Sequence, residues 1–78
     1  MEINIEEYPY FLRHDIEELV RAEKEEKETG KVCWHKDCLQ DELYGSISSA
    51  YYDRIISKEE AEYLRITYLG IYVPMQDL

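Results

Sequence analysis

Two cysteines and two histidines are the residues of this 78-residue chain best suited to bind a metal. Cys33, His35 and Cys38 lie together in the segment CWHKDC, and His14 is the other histidine. A structural zinc site uses four such ligands, usually as two closely spaced pairs. On a continuous helix, side chains five positions apart point about 140° away from each other. A metal-binding regulator would therefore need residues 33–37 to form a loop. We favour two unmetallated thiols, and we expect neither a metal nor another cofactor.

Adjacent carboxylates recur along the chain, yet we predict that it is not an enzyme. Neighbouring residues do not share a helix face, and acid–base catalysis needs two carboxylates in one cleft. The serines have no histidine at a recognisable spacing, and the three glycines are isolated. The sequence therefore contains neither a nucleophile elbow nor a phosphate-binding loop.

Acidic residues outnumber basic ones, with 18 Asp and Glu against 9 Lys and Arg and a formal net charge of −9. This charge repels nucleic acid and anionic membranes and attracts basic protein surfaces. We expect a protein partner with a basic surface, no direct binding of nucleic acid and no membrane association. No apolar run approaches the ~20 residues of a membrane span. The N-terminus has no signal-peptide pattern, which predicts a cytoplasmic protein with reduced cysteines.

The apolar pattern predicts an all-α protein, a compact three-helix bundle in one small domain over residues 1–78. The helices are expected near residues 9–28, 37–54 and 58–69. Leu12, Ile16, Leu19 and Val20 form one face of the first helix. The main buried side chains are predicted to be Leu12, Ile16, Leu19, Leu39, Leu43, Ile47, Leu64 and Tyr68.

Local signals predict the helix ends. Ser57 and Glu60 make a capping box before the third helix, and Gly70 is suited to a left-handed residue after it. Pro9 fits the first position of the first helix. Asp37 is predicted to be the N-cap of the second helix.

Three local features have alternatives that the sequence leaves open. The second helix begins either before or after Cys33. Gly45 and the serines around it lie within a continuous helix, where small residues let a neighbouring helix approach, or they mark a break; we favour the continuous helix. Ile3 and Ile5 alternate with polar residues, and residues 72–73 favour an extended backbone. The two chain ends could therefore pair as a short two-stranded ribbon beside the helices.

The segment DELYGSISSAYYDRIISKEEAEYLRITYLG, residues 41–70, resembles small uncharacterised acidic helical proteins encoded on bacterial mobile elements. The shared features are the Asp-Glu-Leu-Tyr-Gly-Ser-Ile start, a turn, and a capped helix that ends in Tyr-Leu-Gly. That group has no assigned activity. The resemblance implies a bacterial or phage accessory protein and assigns no site.

Our leading hypothesis is a small acidic helical interaction protein that binds another protein in an accessory or regulatory role. A homodimer is one form of this, because so small a core gains much from a second copy. The alternative is a nucleic-acid mimic that inhibits a basic DNA- or RNA-binding protein such as a bacterial defence nuclease. The predicted contact residues are the acids Glu17, Glu18, Glu25 and Glu26 and the tyrosines Tyr8, Tyr10, Tyr63 and Tyr72. The simpler interpretations are that the acids only improve solubility and that the tyrosines cover the core.

Overall fold

The computed structural model describes residues 4–31 and 35–71, which fold as three helices packed against one another. A 3₁₀ turn comes before the first helix, and a π-helical segment continues the third. The order is the 3₁₀ turn Ile5–Glu7, α1 Tyr10–Thr29, α2 Lys36–Tyr52, α3 Lys58–Leu64 and the π segment Arg65–Leu69. The most extensive contact is between α1 and α2. The predicted all-α class and helical bundle are confirmed.

The core consists of aliphatic side chains from all three helices, joined by the aromatic ring of Tyr51. Its six largest fully buried side chains are Leu12, Ile16, Leu19, Leu43, Ile47 and Leu64, and all six were predicted. Leu39 and Tyr68 were expected in this set but are only half-buried, because they pack at its edge. Ile56 and Ala61 complete the core beside α3. Burial of this apolar surface is the main force that holds the helices together.

The first two helices begin one residue away from the positions that the sequence predicted. Pro9 has extended backbone angles, φ −61° and ψ 155°, so it caps α1 rather than forming its first residue. Its carbonyl oxygen accepts the amides of Leu12 and Arg13 at 3.1 Å. The cap of α2 is His35, and Asp37 lies in the first turn, where its charge favours the positive end of the helix dipole. The helix therefore begins after Cys33.

The second helix runs unbroken through Gly45, as we favoured. A Cβ atom built on Gly45 would meet nothing within 4 Å. The idea that Gly45 allows a neighbouring helix to approach closely is therefore wrong. The helix ends at Tyr52, two residues before the predicted end at residue 54. Arg54 adopts a left-handed conformation with φ 62°. The amide of Ile55 then bonds back to the Ala50 carbonyl at 2.8 Å, which closes the helix end.

The capping box at the start of α3 is confirmed. The Ser57 hydroxyl accepts the Glu60 amide at 3.1 Å, and the Glu60 carboxylate accepts the Ser57 amide at 3.2 Å. After Leu64 the backbone changes to the wider π turns and ends at Gly70, which is left-handed with φ 66°, as predicted. The amides of Gly70 and Ile71 bond to the Ile66 and Arg65 carbonyls at 3.1 and 3.3 Å.

The two-stranded ribbon is not supported. Ile5, one of the residues assigned to it, lies in the 3₁₀ turn, where the Asn4 side chain accepts the Glu6 amide at 3.1 Å. No strand occurs in residues 4–31 and 35–71. The ribbon residues 2–3 and 72–73 lie outside the described residues.

Candidate interaction surface

A groove runs along one side of α1, between that helix, the 3₁₀ turn and the π segment. It encloses about 450 Å³ and is open to solvent. Its lining is Ile5, Ile16, Glu17, Val20, Arg21, Lys24 and Tyr68. The apolar members form the floor, and the charged members all come from α1. We call this surface the α1 groove.

The floor of the α1 groove exists because the apolar face of α1 is wider than the surface that the other helices cover. Ile16 is fully buried, whereas Val20, one turn further along, is 45% exposed. The sequence placed Val20 on the apolar face of α1, which is correct, but the core does not cover it. Ile5 and Tyr68 pack against the core and flank Val20 from the opposite side. Burial raises the pKa of the Tyr68 hydroxyl, and the neighbouring Tyr63 adds to this shift.

Two ion pairs lie on α1 along the edge of this groove. Arg13 Nε is 4.0 Å from a Glu17 carboxylate oxygen, and Lys24 Nζ is 4.0 Å from a Glu28 carboxylate oxygen. Both pairs have the i, i+4 spacing of neighbours on a helix face. With about 100° per residue, the four side chains fall within about 60° of arc. They form a charged row beside Val20, with the signs plus, minus, plus, minus along the chain.

The four acids predicted as partner contacts do not form one acidic face. Glu17 lies on the groove edge, whereas Glu26, nine residues later, points to the opposite side of α1, about 180° away. There it is half-buried, and its Oε1 is 3.4 Å from Lys36 Nζ at the start of α2. Glu18 receives a 3.0 Å hydrogen bond from Arg21. Glu25 is exposed.

The predicted tyrosines are in different environments. Tyr8 is half-buried, and its hydroxyl donates a 3.0 Å hydrogen bond to the Glu60 carboxylate. Burial and this hydrogen bond raise the Tyr8 pKa well above the usual tyrosine value. Tyr10 is 69% exposed, and Tyr63 is more than one-third exposed. Tyr72 lies outside the described residues. The interpretation that tyrosines cover the core fits Tyr8 and does not fit Tyr10.

The candidate metal ligands are not assembled in the part of the chain that the structure describes. Cys38 is an exposed free thiol on α2, and His35 is the cap of that helix. His14 lies on α1, where its ring nitrogens are 3.5 Å from Asp15 and 3.7 Å from Glu18. Within residues 4–31 and 35–71 no group of three or more His, Cys or carboxylate side chains could hold a metal ion. Cys33 lies outside those ranges.

Two polar contacts between the helices were not predicted. The Ser46 hydroxyl donates a hydrogen bond to the Asp15 carboxylate, which ties α2 to α1. The Arg65 side chain is almost fully buried, donates to the Ser48 hydroxyl at 3.1 Å and lies 4.4 Å over the Tyr44 ring. The serines of α2 therefore hold the helices in register. A sequence signal for this role was present, because serine is a poor helix former and Ser46 and Ser48 nevertheless lie within α2.

A smaller hollow of about 130 Å³ opens next to the ring of Tyr44. Its lining is Gln40, Asp41, Tyr44, Leu69 and Ile71. It is less than a third of the volume of the α1 groove. The α1 groove is therefore the better candidate for a binding surface.

Comparison of this chain with protein-family models, curated proteins and solved structures finds no match. None of the helices that the structure describes is both long enough and apolar enough to cross a lipid bilayer.

Proposed function

We propose that this protein is a small acidic interaction protein that binds another protein through the α1 groove, in an accessory or regulatory role. The supporting observation is the groove itself, with an apolar floor and charged edges beside the buried core. Apolar surface flanked by polar residues is typical of protein–protein contact sites. Val20, at 45% exposure, is the apolar side chain that such a partner would cover.

The chemistry of the groove defines the partner segment that would fit. An apolar helix face could cover Val20, Ile5 and Tyr68, with charged groups of both signs along its edge to meet Glu17 and Lys24. The net charge of −9 acts at longer range and favours a partner whose wider surface is basic. For a basic partner, the association rate should therefore fall as salt rises.

The nucleic-acid mimic has less support. Mimicry of a phosphate backbone needs carboxylates that are free to meet a basic groove. Glu18 and Glu26 lie 3.0 and 3.4 Å from the cationic groups of Arg21 and Lys36 of the same protein. These pairs partly neutralise the surface on which that hypothesis depended.

A matched pair of substitutions tests the proposal. Val20→Lys places a charge on the groove floor, and Ile66→Lys places the same charge at a side chain of almost equal exposure, 47%, that does not line the groove. A partner captured from the native host would be purified, and its affinity measured for each variant by calorimetry. We expect Val20→Lys to weaken binding roughly tenfold or more, as for a central interface residue, with Ile66→Lys unchanged. Equal affinities for the two variants would reject the groove as the binding surface.

A further inference from the structure

The charged row on α1 is complementary to itself when read in the opposite direction. Its members in chain order are Arg13, Glu17, Lys24 and Glu28, and their positions are symmetric about a point between Val20 and Arg21. If a second α1 lies antiparallel across that point, every charge in the row faces one of opposite sign. Arg13 then faces Glu28 of the partner subunit, and Glu17 faces the partner's Lys24.

We propose that the α1 groove binds a second copy of this chain, with the two α1 helices antiparallel and a two-fold axis between Val20 and Arg21. This proposal rests on the proposed function and identifies the partner as a second copy of the chain. A two-fold interface uses the same patch on both subunits, so a self-complementary patch is what it requires. Each charge pair occurs twice in such a dimer.

The positions of the apolar groups fit the same arrangement. Val20 lies next to the axis, so its exposed side chain meets Val20 of the partner subunit and the alkyl part of the partner's Arg21, whose guanidinium group lies 3.0 Å from Glu18 of its own chain. Ile5 and Tyr68 belong to the floor of the α1 groove. The charged row lies along the margin, where the existing pairs, Arg13 with Glu17 and Lys24 with Glu28, are at 4.0 Å and exposed enough to gain new neighbours. Apolar contact at the centre with charges at the rim is the usual anatomy of an interface.

The overall charge gives self-association a distinctive salt dependence. Two copies that each carry −9 repel each other at long range. At ~0.15 M salt the screening length is about 8 Å, which suppresses this repulsion while the close pairs at the rim persist in part. Dimerisation should therefore strengthen between low and physiological salt, whereas binding to a basic protein should weaken.

Charge exchange between two variants tests the proposal. In a dimer of Glu17→Lys copies, the introduced lysine of each subunit would face the partner's Lys24, so two repulsive pairs replace two attractive ones. In a dimer of Lys24→Glu copies, Glu17 of each subunit would likewise face the introduced glutamate of the other. In a mixed dimer of the two variants, both of these facing pairs are again of opposite sign. Glu25→Lys is the control, because it makes the same charge change at an exposed position about 80° around α1 from Glu17.

Sedimentation equilibrium at ~0.15 M salt measures the result. We expect the wild-type chain to reach twice its 9.4 kDa mass as concentration rises. Glu17→Lys and Lys24→Glu should each raise the dimer dissociation constant roughly tenfold, because one substitution alters two contacts. An equimolar mixture of the two should recover dimerisation close to the wild-type value, and Glu25→Lys alone should keep the wild-type dissociation constant.

Three results would overturn the proposal. They are a monomer at every concentration, a mixture that recovers nothing, and a Glu25→Lys variant that dissociates as readily as Glu17→Lys. Failure here is distinguishable from failure of the proposed function. A monomeric chain whose binding to a different protein is lost in Val20→Lys and kept in Ile66→Lys would retain the groove as an interface and exclude the second copy.

Discussion

Replacement of Gly45 by alanine is expected to stabilise the folded chain. Gly45 lies in the interior of α2, is exposed, and has open space where a Cβ atom would be added. Glycine within a helix costs about 0.5–1 kcal/mol relative to alanine. A glycine residue has more backbone freedom than alanine in the unfolded chain, and it loses that freedom when the chain folds. The free energy of unfolding should therefore rise by about that amount in Gly45→Ala.

The same substitution at Gly70 is the matched control, and it should have the opposite sign. A Cβ atom on Gly70 would also meet nothing within 4 Å, so the two sites do not differ in available space. They differ in backbone conformation, because Gly70 has φ 66°. An L-amino acid in the left-handed region costs roughly 1–2 kcal/mol. Gly70→Ala should therefore lower the free energy of unfolding by about that amount.

Thermal unfolding followed by circular dichroism measures both variants. In a domain of this size 1 kcal/mol shifts the melting temperature by about 4–8 °C. We expect Gly45→Ala to melt about 2–8 °C higher than the wild-type chain and Gly70→Ala at least about 4 °C lower. A lower melting temperature for Gly45→Ala would refute the reasoning, because it would mean that α2 is broken at Gly45 or that its surface there is covered.

Three further predictions concern the core, the end of α2 and the alkaline pH range. Leu43→Ala, at a fully buried position, should cost about 2–5 kcal/mol in urea unfolding, and a loss below about 1 kcal/mol would show that Leu43 is not central. Arg54→Gly should raise the free energy of unfolding by about 0.5–1 kcal/mol, because it relieves the left-handed conformation of a non-glycine residue; a lower urea midpoint would contradict this. Burial and the Glu60 hydrogen bond raise the Tyr8 pKa in the folded state. The stability that Tyr8 contributes is therefore complete below the ordinary tyrosine pKa of about 10, and it is lost as pH rises above that value. In unfolding experiments across this alkaline range, the free energy of unfolding should therefore fall less steeply with pH in Tyr8→Phe than in the wild-type chain. Identical slopes in the two proteins would reject this role of Tyr8.

Several features of the fold could be predicted because their causes are local. The capping box of Ser57 and Glu60 satisfies amides within one helical turn, so four consecutive residues are enough to predict it. Gly70 ends the third helix because glycine tolerates the left-handed conformation. The fully buried leucines and isoleucines follow from helical periodicity, since residues three and four apart share one face.

Other features depended on competition between similar local signals. Pro9 suits both the cap and the first helical position, and the choice between them depends on backbone angles that a sequence does not specify. The left-handed Arg54 was not predictable from residue type, because arginine rarely adopts that conformation. The way the chain turns from α2 towards α3 imposes it.

The sequence by itself determined a small acidic helical protein, with its helix-forming segments, the largest of its fully buried side chains and the alternating charges of α1. Periodicity and capping act over a few residues, and the charge order is read directly from the chain. Only the tertiary structure decided that Val20 stays exposed, that Ile5 and Tyr68 flank it, and that Glu17 and Glu26 point to opposite sides of α1. These features depend on the rotation of α1 against its neighbours, which is set by packing between residues far apart in the chain.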